Sequence, residues 1–267
     1  MNITLARPYA ISERGGRQNN EDFIYPLSEL VDSEQRLFIV CDGVGGADKG
    51  EIASSLACES LQTFFATFLE GDPTEELINK AVQYTEVRFD EYVSQHPEAK
   101  GMATTMTLLY VGETGITIAH IGDSRVYQFR DGQGIYQTED HSLVNSLVKL
   151  GKITADEAEH HPQKNVITRA IQGTDFPVDA EITLLTDIRP GDYFFMCTDG
   201  VTDCIQPETL SAIFSQTTST ESIKNIIVEL CSVKARDNYS FYLLQVQDVQ
   251  NSSNYKQYIL SFLYMII

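Results

Sequence analysis

An apolar run, LFIVC at residues 37–41, stops abruptly at DGVGG, residues 42–46. Five consecutive apolar side chains bounded by turn-forming residues are typical of a buried strand. Asp42 stands at the end of this strand, where the sheet fixes its backbone and leaves its carboxylate in a crevice. Gly43 lets a backbone carbonyl approach a bound ion closely, because glycine has no side chain in the way. Residues 51–69 then show helical spacing, which predicts a helix after the strand.

The same arrangement recurs along the chain. An aspartate stands at the end or the start of four further predicted strands: Asp22, Asp123, Asp199 and Asp237. Any single Asp-Gly pair is most often a turn, so the interpretation depends on the coincidence of several. Clustered carboxylates repel one another and ordinarily need a cation. Oxygen ligands without neighbouring cysteines or paired histidines favour Mg²⁺ or Mn²⁺ over Zn²⁺.

Two arginines stand close to these aspartates in the sequence. Arg17 precedes the first of them, and Arg125 follows Asp123 by two positions. A guanidinium grips phosphate oxygens with a planar fork, so both are candidates for phosphate binding. The alternative for Arg125 is a surface arginine in a hairpin, because residues 115–121 and 125–130 are predicted to be two strands of one hairpin.

Composition limits the possible classes of protein. The 267 residues are 42% apolar, which is enough for one sizeable domain with its own core. A formal charge of -19 argues against nucleic acid and anionic membranes as partners. The odd number of cysteines, five, includes no CxxC pair, and the first ten residues carry no signal-peptide pattern. We therefore expect a reducing, cytoplasmic setting.

In their order along the chain, these motifs resemble those of the protein phosphatase 2C family, and specifically its bacterial members. The resemblance covers about residues 10–246 and rests on GRQNNED (16–22), VCDGVGG (40–46), GDSR (122–125), DHSLV (140–144), ITRAI (167–171), TDGV (198–201) and DNYS (237–240). It implies an α+β fold with a central β-sandwich of two antiparallel sheets, flanked by helix pairs in four layers. It also implies a flap segment at about 141–170 and metal ions at one end of the sandwich.

The resemblance also assigns metal ligands. Asp42 is expected to bridge two Mn²⁺ or Mg²⁺ ions, and the carbonyl of Gly43 to bind one of them. Asp199 and Asp237 are expected to complete the ligands of the first ion. Asp22 is expected to hold the second ion, partly through water.

Further positions follow from the same resemblance. Asp123, together with Asp199, matches the site of a third, weaker metal ion in bacterial relatives. Arg17 is expected to bind the substrate phosphate. His141 and Arg169 match positions at the border of the flap, and we assign them structural roles.

One position departs from the pattern of many eukaryotic relatives, which carry histidine directly after the Asp-Gly of the strand motif. This chain has Val44 there. The general acid is therefore left open between a water on a metal ion and another side chain, of which His141 is one candidate.

The implied function is hydrolysis of phosphoserine and phosphothreonine esters on proteins by a metal-activated water, reversing a bacterial Ser/Thr kinase. Phosphorylated proteins are then the partners, with a cognate kinase among them. The alternative is a catalytically inactive phosphatase-like module that binds a partner, which a missing Asp42, Asp199 or Asp237 would have favoured. A calcium buffer is disfavoured, because the chain has no Asp-x-Asp-x-Asp-Gly loop.

The C-terminal segment has no counterpart in the family pattern. We expect residues 1–250 to form the phosphatase domain and residues 251–267 to form an apolar extension. The extension is expected to pack on the domain or on a second copy, so the oligomeric state stays open. Membrane contact is disfavoured, because Lys256 is the only basic residue of the segment.

Overall fold

The computed structural model describes residues 1–44, 49–217 and 219–250. The strands are β1 (Asn2–Leu5), β2 (Tyr9–Glu13), β3 (Asp22–Tyr25), β4 (Leu37–Val44), β5 (Ala103–Thr104), β6 (Met106–Val111), β7 (Ile116–Ile121), β8 (Arg125–Arg130), β9 (Gln133–Gln137), β10 (Glu181–Leu185), β11 (Tyr193–Cys197) and β12 (Tyr239–Gln250). The helices are α1 (Lys49–Phe68), α2 (Glu75–Gln95), α3 (Leu143–Lys149), α4 (Ala155–Glu159), α5 (Asp199–Thr202), α6 (Pro207–Gln216) and α7 (Thr220–Lys234), with a 3₁₀ turn at Pro97–Ala99.

The strands form two six-stranded sheets. One has the order β1-β12-β11-β8-β9, with β2 also paired to β12. The other has the order β10-β7-β6-β4-β3, with β5 also paired to β4. Every described strand pair is antiparallel. Antiparallel sheets with one apolar face each can bury those faces against one another, which gives a sandwich.

Alternation along the strands produces the layers. In β4, Phe38 and Val40 point into the core between the sheets, where they meet residues of the other sheet such as Tyr242. Ile39 and Cys41 point the opposite way and pack with α1 and α2. On the other sheet, residues of β11 and β12 pack with α6 and α7 in the same manner. The result is a four-layer α-β-β-α domain, and the predicted α+β sandwich is confirmed.

The two strands on either side of Gly122-Asp123 belong to different sheets, so the predicted hairpin is wrong. β7 pairs with β6 and β10, whereas β8 pairs with β11 and β9. Gly122 has a φ of +104° and makes the corner where the chain crosses from one sheet to the other. All six residues of β7 are buried. The sequence of β7, which includes the buried polar residues Thr117 and His120, identifies a strand but not its partner, and this is why the sequence pattern misassigned the pairing.

The predicted helical excursion between residues 141 and 170 contains α3 and α4. Its two ends meet each other through a bridge between Ser142 and Ile167, and the Leu143 N–H donates to the Val166 carbonyl at 2.8 Å. The segment therefore leaves the sandwich and returns at one place. The predicted C-terminal extension, 251–267, lies outside the described residues. Among the described helices, none combines the length and the hydropathy needed to cross a bilayer.

Candidate metal centre

The five predicted aspartates meet at one end of the sandwich. Asp22 in β3 lies directly opposite Asp42 in β4, because the two strands pair in that register. Asp123 follows the corner after β7, and Asp199 begins α5 directly after β11. Asp237 stands two residues before β12. The other four carboxylates all act on the pKa of Asp42, so the structure brings the whole set together.

The cluster is electrostatically costly. Burial raises the pKa of Asp42 well above its ordinary value, and the repulsion of Asp22 and Asp199 adds to the rise. Burial likewise raises the pKa of Asp22 and of Asp123 to about 7, and that of Asp199 to about 6. Hydrogen bonds from Thr198 and Ser240 only partly offset the rise at Asp22. Carboxylates crowded in this way are stabilised by cations from outside the protein.

The donors fit a hard divalent cation. Five carboxylates and the backbone around Gly43 offer only oxygen, which is the ligand type that Mg²⁺ and Mn²⁺ prefer. Gly43 also has a packing reason to be glycine: a Cβ there would lie 2.0 Å from the carbonyl oxygen of Gly50 in α1. The close approach of helix and strand therefore requires this glycine, a reason that the sequence pattern did not reveal.

Asn238 holds the loop of Arg17 beside the cluster. Its side-chain amide donates to the Asn19 carbonyl at 2.7 Å, and its Oδ1 accepts from the Glu21 N–H at 2.9 Å. Arg17 in turn donates to Asp237 at 2.6 Å, with both side chains partly open to solvent. Arg17, the residue predicted to bind phosphate, therefore lies at the solvent-exposed edge of the aspartate cluster. Asn238 was part of the DNYS motif, but the motif did not indicate this contact with the loop of Arg17.

Arg125 is not available to a phosphate. Its Nε and Nη2 bind the two carboxylate oxygens of Asp140 at 2.7 and 2.6 Å, and its Nη1 donates to the Tyr127 hydroxyl at 3.1 Å. Neither sequence interpretation of Arg125 describes this contact, because Asp140 lies fifteen residues away at the start of the flap. The ion pair fixes that start of the flap to β8.

His141 is tied to the corner that carries Asp123. Its backbone N–H donates to the Gly122 carbonyl at 2.9 Å, and its Nδ1 accepts from the Gly122 N–H at 3.1 Å. Burial, followed by His120 and Arg169, lowers the pKa of His141 to about 4. Because Nδ1 faces the backbone and the ring is neutral near pH 7, this side chain is poorly suited to protonate a leaving group.

A second group of possible ligands lies behind this corner. His120, His141 and Glu181 offer ligand atoms within 4.8 Å of one another. The two imidazoles are stacked at 4.6 Å with 8° between their planes, and His120 Nε2 lies 2.8 Å from the Glu139 carbonyl oxygen. Arg169 Nη1 lies 3.0 Å from His141 Nε2, where its charge opposes a cation. We interpret the group as a hydrogen-bonded support for the corner.

A cavity of about 760 Å³ opens beside the cluster, between the flap helices and the body of the domain. Asp123 and Asp199 line its inner end, and Arg125 and residues of α3 and α4 line its sides. Lys164 of the flap region forms an ion pair with Asp203 of the body at 2.8 Å across it. The space is large enough for several side chains of a substrate protein.

Comparison with known proteins agrees with this geometry. Residues 12–230 match the family described as Protein phosphatase 2C. The chain belongs to the protein phosphatase 2C family. A putative protein phosphatase 2C-type from Streptococcus pyogenes is 33% identical over 239 residues, which are 88% of this chain and 95% of that protein. The serine/threonine protein phosphatase PstP of Mycobacterium tuberculosis is 33% identical over 251 residues, 92% of this chain.

A solved structure of the same protein phosphatase 2C family extends the likeness to three dimensions. The catalytic domain of PstP in complex with two manganese ions has a TM-score of 0.77 and 31% identity, and it covers 92% of this chain and all of that one. The chain spans about half the length of full PstP, 46%. The likeness therefore covers the catalytic domain of PstP, and the comparison leaves the rest of PstP unmatched.

Proposed function

We propose that this chain hydrolyses phosphoserine and phosphothreonine esters on proteins, with water activated by two divalent metal ions. The observation that carries the proposal is the meeting of five aspartates from separate strand ends. Burial and mutual repulsion raise the pKa values of four of them, Asp22, Asp42, Asp123 and Asp199. Mn²⁺ or Mg²⁺ is the fitting cofactor, because all the donors are oxygen. The full set of aspartates argues against the inactive binding module.

The roles of the ligands are part of the proposal. Asp42 would be a ligand of both ions, and the Gly43 carbonyl would be a ligand of one of them. Asp199 and Asp237 would complete the ligands of the first ion, and Asp22 would hold the second. Asp123, beside Asp199, would hold a third and weaker ion.

Neighbouring side chains position the metal ligands and the substrate phosphate. When bound, the ions supply a nucleophilic water near neutral pH and neutralise charge on the phosphoryl oxygens. Thr198 donates to Asp22 at 2.9 Å and so fixes one carboxylate oxygen. Arg17 binds the substrate phosphate, and its five N–H donors allow it to keep its bond to Asp237 at the same time. The general acid is left unassigned, because the side chain of Val44 has no ionisable group and Nδ1 of His141 faces the backbone.

The substrates are phosphorylated proteins whose chain lies in the cavity beside the flap. A bacterial Ser/Thr kinase is proposed as the enzyme whose action is reversed, since related proteins are named as Ser/Thr phosphatases. A cytoplasmic setting belongs to the same proposal and rests on the cysteine pattern. The five cysteines are all buried and form no disulfide.

Hydrolysis of p-nitrophenyl phosphate and of a phosphothreonine peptide tests the proposal. Activity should require added Mn²⁺ or Mg²⁺ and stop with excess EDTA. Asp42→Asn should be inactive, and Asp187→Asn should be active, because Asp187 is an exposed carboxylate that pairs with Arg130 and Arg189, away from the cluster. Full turnover by metal-stripped protein, or by Asp42→Asn, would show that the proposal is wrong.

A further inference from the structure

Thr105 faces Asp42 across the pairing of β4 with β5 and β6. Gly43 pairs with Thr104, and Val40 pairs with Thr107, so the same register sets Asp42 opposite Thr105. In an antiparallel ladder every second opposed pair exchanges two backbone hydrogen bonds, and the position of Asp42 and Thr105 is one of these. Here the Thr105 N–H donates to the Asp42 carbonyl at 2.9 Å, but the Asp42 N–H donates to the Thr105 hydroxyl at 3.0 Å. The Thr105 hydroxyl therefore takes the place of the Thr105 carbonyl as the acceptor for the backbone N–H of Asp42, the residue central to the site.

The same side chain also contacts the corner that carries Asp123. The Thr105 hydroxyl lies 3.1 Å from the Ser124 hydroxyl, and both residues are fully buried. The Thr105 methyl packs against Gly122, where a Cβ would lie 2.5 Å from Thr105 Cγ2. One threonine therefore contacts two separate segments of the candidate metal centre. Neither the motifs nor the proposed ligand set includes it.

The geometry points to Thr105 as a positioning residue for the metal centre, an inference that rests on the proposed function. Its hydroxyl fixes the backbone of Asp42 and, through Ser124, ties it to the corner before β8. Without the hydroxyl, the Asp42 N–H loses its acceptor and the end of β4 must move to reach the Thr105 carbonyl. The Asp42 carboxylate and the Gly43 carbonyl move with it. Groups that orient metal ligands in this way affect metal affinity strongly.

The test compares three single substitutions. Thr105→Val removes the hydroxyl and keeps the shape of the side chain, whereas Thr105→Ser keeps the hydroxyl and removes the methyl. Thr107→Val is the matched control, because Thr107 is an equally buried threonine two residues along whose hydroxyl donates to the Ser124 carbonyl at 3.2 Å and not to a group of Asp42. Mn²⁺ alone is titrated into each metal-stripped protein by calorimetry. Melting in EDTA establishes that each variant is folded.

Thr105→Val should bind Mn²⁺ about tenfold or more weakly, a typical loss for a group that orients a ligand. Thr105→Ser and Thr107→Val should stay close to wild type. If Thr105→Val does not fold, Thr105→Ala takes its place, since it removes the hydroxyl without placing a methyl against the Asp42 N–H. Wild-type affinity in the hydroxyl-free variant, or an equal loss in Thr107→Val, would overturn the inference. Failure of wild-type protein to bind Mn²⁺ would instead reject the proposed function.

Discussion

One aspartate stands at each end of β11, and the two carboxylates have opposite electrostatic surroundings. Asp192, before the strand, is 1% exposed and accepts two hydrogen bonds from Arg130, at 2.8 and 2.7 Å. Gln128 adds a third at 2.9 Å. Asp199, after the strand, lies among other carboxylates and has its pKa raised to about 6 by burial and by Asp237. The fold balances the first charge and leaves the second unbalanced.

This difference distinguishes a structural carboxylate from a ligand. At the balanced end, hydrogen bonds from Arg189 and Arg130 lower the pKa of Asp187 below its ordinary value. At the other end, burial raises the pKa of Asp22 and Asp123 to about 7. Arg130 neutralises the buried Asp192, whereas no arginine among the described residues forms an ion pair with Asp22, Asp42 or Asp199. These three carboxylates are therefore open to a cation from solution.

The largest expected effect is at the unbalanced end. Asp42→Asn should lower kcat for p-nitrophenyl phosphate in saturating Mn²⁺ on the order of a thousandfold or more, because the bridging ligand is lost. In EDTA the same variant should melt at the wild-type temperature or above, since one repelling charge is gone. Steady-state kinetics and calorimetric melting measure the two effects. A large loss of stability without metal would mean that Asp42 is a structural residue.

A substitution at the balanced end should instead lower stability and leave turnover unchanged. Asp192→Asn leaves the Arg130 guanidinium without its buried partner and should cost about 3–5 kcal/mol of unfolding free energy. For a domain of this size that corresponds to a fall in Tm of roughly 10 °C. Turnover per folded molecule should be unchanged at a temperature where the variant is folded. Unchanged stability would break the comparison between the two ends.

The next largest expected effect is on the pH dependence of stability, which should also distinguish the two ends of β11. In metal-free protein, Asp123 has a pKa of about 7, and in the unfolded chain an aspartate titrates near pH 4. The native state therefore binds the extra proton between these values, and Asp123 costs stability above pH 7 that is recovered as pH falls towards 5. His141, with its pKa lowered to about 4, acts in the opposite direction.

The informative quantity is consequently the difference between two proteins in EDTA. The Tm of the wild type minus the Tm of Asp123→Asn should rise by roughly 5 °C when the pH is lowered from 8 to 5. Differential scanning calorimetry in both buffers measures it. Asp187→Asn serves as the control, because its carboxylate has a lowered pKa and stays ionised across this range. If the Tm difference between the wild type and Asp123→Asn does not change with pH, the assignment of an unbalanced charge to Asp123 is contradicted.

The smallest effect concerns the arginines of the two ends. The Arg130 side chain is 14% exposed, whereas that of Arg17 is 54% exposed beside Asp237. An exposed pair contributes little to stability, so Arg17 can serve a ligand. Arg17→Ala should raise KM for a phosphothreonine peptide about tenfold with a smaller change in kcat. Arg14→Ala, on the same loop, should keep the wild-type KM, and an equal rise there would point to a general charge effect.

The residues of the metal centre were predictable because their signal is local. A buried strand that ends in Asp-Gly is visible within ten residues, and its repetition indicated a shared site. Thr105 and Asn238 were not predictable, because each acts through a neighbour that is close only in the folded chain. Asn238, for example, bonds to the backbone of Asn19, 219 positions away. The pairing of β7 and β8 was also beyond the pattern, since burial on both faces removes the alternation that identifies a strand's environment.

The position of β12 in the chain has a consequence for biosynthesis. This strand pairs with β1, β2 and β11, so the last described strand to be made occupies the interior of its sheet. During synthesis β1 and β2, the first two described strands, have no partner in their sheet until β12 follows. Asp237 and Asn238 emerge just before it and join the loop of Arg17. The metal centre therefore cannot be completed before β12 has been synthesised.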